Sequence, residues 1–398
     1  LSTCLPGVNP YSACMQPGRQ TGGSPRVLIF VVAYNAEKTI DAVLDRIPVE
    51  KLPADAEVLV IDDASIDRTY EHASRHRDRL RGLKLTVLFN PANRGYGGNQ
   101  KIGYRYAIEN GFDVVVLLHG DGQYAPEVMP ELIAPVLEGE AEACFGSRML
   151  VRGQARRQGM PLYKYVGNRI LTAFQNRVLG LKLSEFHSGY RVYSVAALAK
   201  LPFRYNTDDF HFDTQIIIQF ALRGLRIREV AIPTYYGDEI CHVNGLAYAW
   251  NVCASTLASR LHLMGICFQR RFDVCDGQED YDLKLGYASS HTFAIDAVET
   301  GQCVLDLASG YVARCVREEP CRVTGVDRRE APAGAFDRFI RHDLDDLPLP
   351  DAVDDSYDVI LVLDCIEHLE APERLLEAVR ERCYRPGARL ILTTPNIA

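Results

Sequence analysis

"VVVLLHGDGQYAPE", residues 114–127, closes an apolar run on a single carboxylate. The run 114–118 has the length and composition of a strand buried on both faces. His119 follows it, and Asp121 stands between Gly120 and Gly122. An aspartate at the end of a buried strand suits Mg²⁺ or Mn²⁺. Such ions take one or two protein carboxylates and complete their shell with water and substrate phosphate. The flanking glycines let the backbone approach a ligand closely. The bland alternative is a turn closed by an Asx hydrogen bond.

The segments before this one repeat its plan. "RVLIFVVAYN" (26–35), "AEVLVIDDAS" (56–65) and "LKLTVLFN" (83–90) read as buried strands. Each is followed by helical spacing, in "AEKTIDAVLDRI" (36–47), "DRTYEHASRHRDRL" (67–80) and "QKIGYRYAIENG" (100–111). Alternating strands and helices predict an α/β fold with a mainly parallel sheet covered on both faces. Ligands of such sheets bind beyond the carboxyl ends of the strands. Polar groups stand at four successive ends: Asn35 and Glu37, Asp62 and Asp63, Asn93 and Arg94, Asp121 and Gln123. Asp67 reads as the N-cap of a helix; that role leaves the pairing of Asp62 with Asp63 unexplained.

Further on, "GMPLYKYVGNRILTAFQNRVLG" (159–180) predicts an amphipathic helix with Val166, Ile170, Phe174 and Val178 on one stripe. "LSEFHSGYRVYS" (183–194) reads as a loop and a short helix, 209–224 as a helix, and "LRIREVAIPTYY" (225–236) as a strand. A second α/β unit starts at "GQCVLDLASG" (301–310) and runs through "CRVTGVDRRE", "FDRFIRHDL", "YDVILVLDCIEHL", a helix over 371–383 and the strand "ARLILTTPN". The organisation expected is a loose arm over 1–25, a first domain over 26–240, a connecting helical region over 241–289 and a second domain over 290–398, cut off after its fifth strand.

The net charge is −8, which speaks against a general nucleic-acid binder. Residues 147–184 nevertheless carry Arg148, Arg152, Arg156, Arg157, Lys164, Arg169, Arg177 and Lys182 with no acidic residue between them. The 12 cysteines are scattered without metal or redox spacing, which suits reduced thiols and a cytoplasmic protein. No apolar run approaches the roughly 18–20 residues that cross a bilayer.

The motifs "VVAYNAEKTI" (31–40), "VIDDASIDRT" (60–69), "NRGYGGNQK" (93–101), "HGDGQYAPE" (119–127), "GSR" (146–148), "EFHSGYR" (185–191) and "EVAIPTYYGDE" (229–239) together resemble the family 2 glycosyltransferases, near the dolichol-phosphate mannosyltransferase-like branch. The resemblance spans about 27–245. It implies a GT-A fold, a nucleotide-sugar donor, a divalent metal (Mg²⁺ or Mn²⁺) and inversion at the anomeric carbon. By the same resemblance, Tyr34 and Glu37 contact the base, and Asp62 or Asp63 the base or ribose. Asp121 binds metal with Gln123 nearby, Arg94 belongs to the donor site, and Arg148 and Arg191 face phosphates. Three departures stand out: Val32 where proline is common, His119 at the first aspartate of the DxD-like motif, and Glu185 in place of aspartate before Ser188-Gly189. His119 reads as support for Asp121 rather than a principal ligand.

A departing nucleoside diphosphate needs its charge stabilised, and metal with arginine does so. A lipid-phosphate acceptor brings an oxygen that is already anionic. A saccharide hydroxyl needs a base, for which Glu185 is the first candidate. The basic tract favours a polyprenyl phosphate and contact with an anionic membrane surface, peripheral on the cytoplasmic face. The rivals are a transferase acting on a glycan hydroxyl in surface-polysaccharide assembly and a catalytically silent scaffold.

In the second domain, "VLDLASG", "VTGVD", "HDL" and "VLDCIEHL" resemble class I S-adenosylmethionine-dependent methyltransferases, with a Rossmann-like fold. Asp306, Gly310, Asp327 and Asp343 would line the cofactor, with Glu367 and His368 after the fourth strand. The turn after Asp306 is short and has Ala308 at the first glycine position, so close cofactor approach should be crowded.

Overall fold

Strand β1 (Val27–Ala33) divides two cores between its alternate residues. Val27, Ile29 and Val31 join one apolar cluster, while Leu28 and Phe30 join the other. A strand buried on both faces must sit inside a sheet, and β1 is flanked by β2 (Glu57–Asp62) and β4 (Val114–His119). We describe the protein from a computed structural model. The residues described are 24–78, 80, 82–233, 245–264, 266–274, 289–308, 321–328, 331, 334–354, 356–366, 369, 371–383 and 385–394. The chain divides between Val274 and Cys275 into two compact units.

The sheet of the first unit has the order β3-β2-β1-β4-β6-β5-β7, with β3 at Lys84–Phe89, β5 at Ala143–Ser147, β6 at Arg191–Ser194 and β7 at Ile227–Ala231. The parallel register sets Val32 beside His119 and Ala33 beside Asp62. Backbone pairing alone therefore brings the polar strand ends to one edge. Helix α1 (Ile40–Asp45) covers one face and α2 (Thr69–Ser74) packs on it. Helix α3 (Gly95–Glu109) lies across β1 on the other face. A Cβ at Gly103 would fall 2.1 Å from the Phe30 ring, so glycine is what allows that approach. Helices α4 (Met129–Leu137), α5 (Gln154–Arg157), α6 (Leu162–Leu179), α7 (Val195–Leu198) and α8 (Phe212–Leu222) complete the layers.

Four features differ from the sequence expectations. Residues 191–194 form a strand, not part of a loop and helix, and it runs antiparallel to both β4 and β5. With only four residues, buried on both faces at Val192 and Tyr193, it has no alternation to reveal it. Strand β5, "ACFGS", is likewise buried throughout. The third concerns α6: it buries Asn168, Thr172 and Gln175, and turns Val166 and Ile170 to solvent with Leu162 and Tyr163. The first half of the apolar stripe faces outward, while Phe174 and Val178 are half-buried. Finally, α9 (Gly245–Leu263) belongs to the first unit, packed against α6 and α8, rather than to a separate connector.

The second unit holds a parallel sheet of order β10-β9-β8-β11-β12, formed by β8 (Cys303–Leu307), β9 (Arg322–Asp327), β10 (Arg338–Arg341), β11 (Val359–Val362) and β12 (Arg389–Leu392). Helices α10 (Ser290–Asp296) and α11 (Pro372–Cys383) belong to it. This is the 3-2-1-4-5 strand order of an open doubly wound sheet, whose order reverses between β8 and β11, with Asp306 on β8.

Candidate active site

Beyond β4 the chain turns sharply at the quoted stretch. The Gly120 amide donates to Val32 O, and the Thr39 hydroxyl donates to Gly120 O. A Cβ on Gly120 would come within 3.2 Å of Ile40 and of the Val32 carbonyl. Gly122 has φ +78, a conformation that glycine adopts without strain. Asp121 Oδ1 accepts from the Gln123 amide at 2.9 Å, so the Asx turn is present. It occupies one oxygen only. Oδ2 faces His119 Nδ1 across 3.9 Å. Burial would raise the Asp121 carboxyl, but neighbouring His119 and the Gln123 amide outweigh it and hold the pKa below the usual aspartate range. An ionised, half-exposed carboxylate at a strand end fits a hard divalent cation. No cluster of three or more His, Cys, Asp or Glu that could hold a metal occurs among the described residues. A one- or two-ligand site completed by substrate phosphate is the kind these side chains can make.

His119 is caged by aromatic rings, with Tyr96 at 5.4 Å and Tyr124 at 5.2 Å between centroids, both edge-on. Its Nε2 lies 3.1 Å from the Tyr96 hydroxyl, which donates to Asp213 Oδ2 at 3.0 Å. Gly189 closes the cage: a Cβ there would stand 2.5 Å from His119 Nε2. The Gly189 amide donates to the Tyr124 hydroxyl at 2.8 Å. The histidine at the DxD-like position and the glycine of "EFHSGYR" thus occupy one packing site. Sequence reasoning passed over Tyr96, Tyr124 and Asp213. The available signal was a polar run, "DTQ", opening an otherwise apolar helix.

The loops after β1 and β2 are laced together. Asn35, at φ +50, donates its amide to the Ser65 hydroxyl and accepts from the Ile66 amide. The Glu37 amide donates to Asp67 Oδ2, while the Glu37 carboxylate accepts from the Arg68 amide. Asp67 Oδ1 accepts from the Thr69 amide at the start of α2, but the N-cap position itself falls on Arg68 and not, as expected, on Asp67. Glu37 therefore spends at least one oxygen on the scaffold. Tyr34 is exposed beside it. The Asp62–Asp63 pair has two separate tasks. Asp63 Oδ1 accepts from the Asn90 side chain and the Arg94 amide, building the turn before α3. Asp62 Oδ1 accepts from the Ser65 amide, but its Oδ2 is buried with no hydrogen-bond partner, and burial pushes its pKa up. Each aspartate thus commits Oδ1, and the second oxygen of Asp62 is the buried one without a partner. The Arg94 side chain is exposed at the start of α3.

Three expected residues are placed differently. Arg148 is turned inward. Its amide and Nε each donate to Glu185 at 2.9 Å, its NH2 contacts the same carboxylate, and NH2 also reaches His187 O. Glu185 is fully buried and accepts a further bond from Asn168. Burial would raise its pKa, yet the Arg148 guanidinium overrides that and holds it low. Both oxygens of this carboxylate are engaged with Arg148 and Asn168. Arg191 is also internal. It donates to Ser188 O, Phe186 O and Asp213 O, and pairs with the Asp213 carboxylate at 3.5 Å. Both arginines stay inside because each finds enough acceptors to offset desolvation. His187 Nδ1 lies 3.0 Å from the Tyr248 hydroxyl of α9, and burial depresses its pKa to about 4.

In the second unit, Asp306 is buried with Oδ2 unpartnered, and burial together with nearby Asp327 pushes its pKa well up. Ala308 has φ +59, a left-handed conformation strained for a residue with a Cβ. Asp343 accepts from the Asp345 amide. Gly310, Glu367 and His368 lie outside the described residues. The orphaned Asp306 oxygen and the strand order fit a nucleoside cofactor, whereas the Ala308 conformation does not favour a close approach there.

Comparison with known proteins agrees with this division. Residues 28–201 match the family model described as glycosyl transferase family 2, and residues 281–398 match one described as a methyltransferase domain. A UDP-N-acetylglucosamine–dolichyl-phosphate N-acetylglucosaminyltransferase of Methanococcus voltae is 27% identical over 53% of this chain and 86% of its own length. An undecaprenyl-phosphate mannosyltransferase of Micrococcus luteus is 29% identical over 52% of this chain and 82% of its own. Among solved structures, M. tuberculosis glucosyl-3-phosphoglycerate synthase is 24% identical with a TM-score of 0.44, over 60% of this chain and 81% of its own. The chain carries a family 2 glycosyltransferase domain followed by a methyltransferase domain, and its enzyme class is glycosyltransferase.

Proposed function

We propose that this family 2 glycosyltransferase domain moves a sugar, with inversion and with a divalent metal, from a nucleotide-sugar to a polyprenyl phosphate at an anionic membrane surface on the cytoplasmic face. The observation that carries the acceptor assignment is the state of Glu185. Its carboxylate is spent on Arg148 and Asn168, so it does not serve a saccharide hydroxyl that must lose a proton. A phosphate acceptor attacks through an oxygen that is already charged and needs no such base. The same chemistry appears in the names of the polyprenyl-phosphate relatives.

Asp121, with His119 and Gln123 beside it, would hold Mg²⁺ or Mn²⁺. Such an ion supplies charge neutralisation to the diphosphate as it leaves. Asp62 offers its unpartnered oxygen to the donor's ribose or base, and Tyr34 offers an exposed ring at the next strand end. Arg94 adds positive charge at the start of α3.

Membrane contact is supported by the surface of α5, α6 and α9. Arg152, Arg156, Arg157, Arg169 and Arg177 are exposed beside Leu162, Tyr163, Val166 and Ile170. On the adjoining α9, Leu246, Trp250, Leu257 and Leu261 recur at helical spacing and are all exposed, as is Met264 just past its end. Apolar stripes rimmed by arginine suit an anionic lipid interface. No helix among the described residues is long and apolar enough to cross a membrane.

The test is transfer from a panel of nucleotide-sugars with Mn²⁺ to a polyprenyl phosphate in vesicles, read as labelled lipid and released nucleotide. Asp121→Asn should reduce transfer at least 100-fold (order of magnitude) with the circular dichroism spectrum unchanged. Full turnover by that variant, or in excess chelator, refutes metal dependence. Transfer to a saccharide but not to the lipid favours the glycan-acceptor reading, and no transfer at all favours the scaffold.

A further inference from the structure

We infer that His119 is a nitrogen ligand of the cation held by Asp121, and that Tyr96 and Asp213 set the ring tautomer that makes it one. The inference rests on the metal dependence proposed above and adds a ligand, a positioning residue and a metal preference to it.

The argument is a count of protons. The Tyr96 hydroxyl has one, and two groups compete for it: Asp213 Oδ2 at 3.0 Å and His119 Nε2 at 3.1 Å. Asp213 is paired with Arg191 and accepts from the Gln100 amide at 3.2 Å. An ionised carboxylate only accepts, so the hydroxyl proton goes to Asp213. The hydroxyl oxygen then accepts from His119 Nε2, which places the proton of a neutral imidazole on Nε2. That leaves the lone pair on Nδ1, the nitrogen facing Asp121. A hydrogen bond on the far ring nitrogen is the usual way a protein orients a metal-binding histidine.

The near side fits the same conclusion. Nδ1 and Asp121 Oδ2 are 3.9 Å apart, too far for a hydrogen bond. Two ligands of one ion at about 2.1 Å from it lie roughly 3 to 4.2 Å apart, from neighbouring to opposite positions. The ring cannot readily turn away, since Tyr96 and Tyr124 stand against it and Gly189 leaves no slack at Nε2. A nitrogen in place of an oxygen disfavours Mg²⁺, a hard ion held by oxygen ligands, more than Mn²⁺, a first-row transition metal that still takes mostly oxygen.

Pulsed electron paramagnetic resonance of Mn²⁺ bound to the full chain tests this without turnover. The probes are Mn²⁺ with uridine diphosphate and, separately, with guanosine diphosphate. Echo modulation from one directly bound ¹⁴N is expected, converting to the ¹⁵N pattern when the protein is grown on [¹⁵N]histidine. Tyr96→Phe should weaken Mn²⁺ binding about 10–100-fold and diminish the modulation, the range expected when the partner of a ligating histidine is lost. His119→Asp should abolish the modulation and bring Mg²⁺ affinity up toward that of Mn²⁺. If Mn²⁺ binds, Asp121→Asn abolishes binding, and no histidine nitrogen couples, the inference is wrong while metal dependence stands. If neither nucleotide brings Mn²⁺ to the protein, both fail together.

Discussion

Replacing Glu185 by glutamine separates a structural carboxylate from a catalytic one. The substitution keeps volume and one acceptor oxygen but removes the charge that matches Arg148. Glu185 now accepts from the Arg148 amide and Nε at 2.9 Å and from Asn168 at 2.8 Å, and it also contacts Arg148 NH2. Its side chain has no exposure and that of Arg148 only 9%, so the guanidinium left behind cannot be rehydrated in place. Breaking a buried pair from one side costs about 3–5 kcal/mol. For a unit of this size each kcal/mol moves the midpoint about 2–4 °C, so the first calorimetric transition should fall roughly 6–20 °C. Arg148→Met combined with Glu185→Leu removes both charges and should recover most of that loss. The acid side supplies a second check. The folded Glu185 carboxyl is held below its unfolded value of about 4.3. Its stabilisation is therefore complete above that pH and is lost as pH falls through the folded value. The gap between wild type and Glu185→Gln should narrow on acidification. A midpoint within about 2 °C of wild type, with transfer reduced by orders of magnitude, would refute this reasoning and return Glu185 to the role of base.

Reversing Arg156 and Arg157 to glutamate should weaken sedimentation with anionic vesicles, as should added salt, because exposed charges are screened; Ile170→Ser should do so without salt dependence. Binding indifferent to all three would remove the argument for a membrane-bound acceptor. Calorimetric titration of the full chain with S-adenosylmethionine should give no affinity tighter than about 100 µM, since Ala308 places a Cβ at the turn where close approach of the cofactor calls for glycine. Micromolar binding would overturn that expectation and make the second unit an enzyme in its own right.

The amino-acid sequence by itself determined the α/β plan and the edge at which chemistry is placed. Apolar runs such as "VLIFVVA" and "VVVLL" can only be interior strands, and four of them ending in polar residues locate a site before any contact is known. Asp121 was legible for the same reason. What the linear pattern could not carry is whether a charged side chain at that edge points outward or is consumed within. In one dimension Arg148 and Arg191 look like ligands of phosphate, and Glu185 looks like a base. They turn inward because β6 runs antiparallel between β4 and β5 and brings carbonyls and carboxylates around them. The apolar stripe of α6 was read correctly as a stripe, yet its direction depends on which face meets α8 and α9. His119 is the clearest case. Its neighbours Tyr96, Tyr124, Gly189 and Asp213 come from four separate segments, and only their convergence decides which ring nitrogen faces the aspartate.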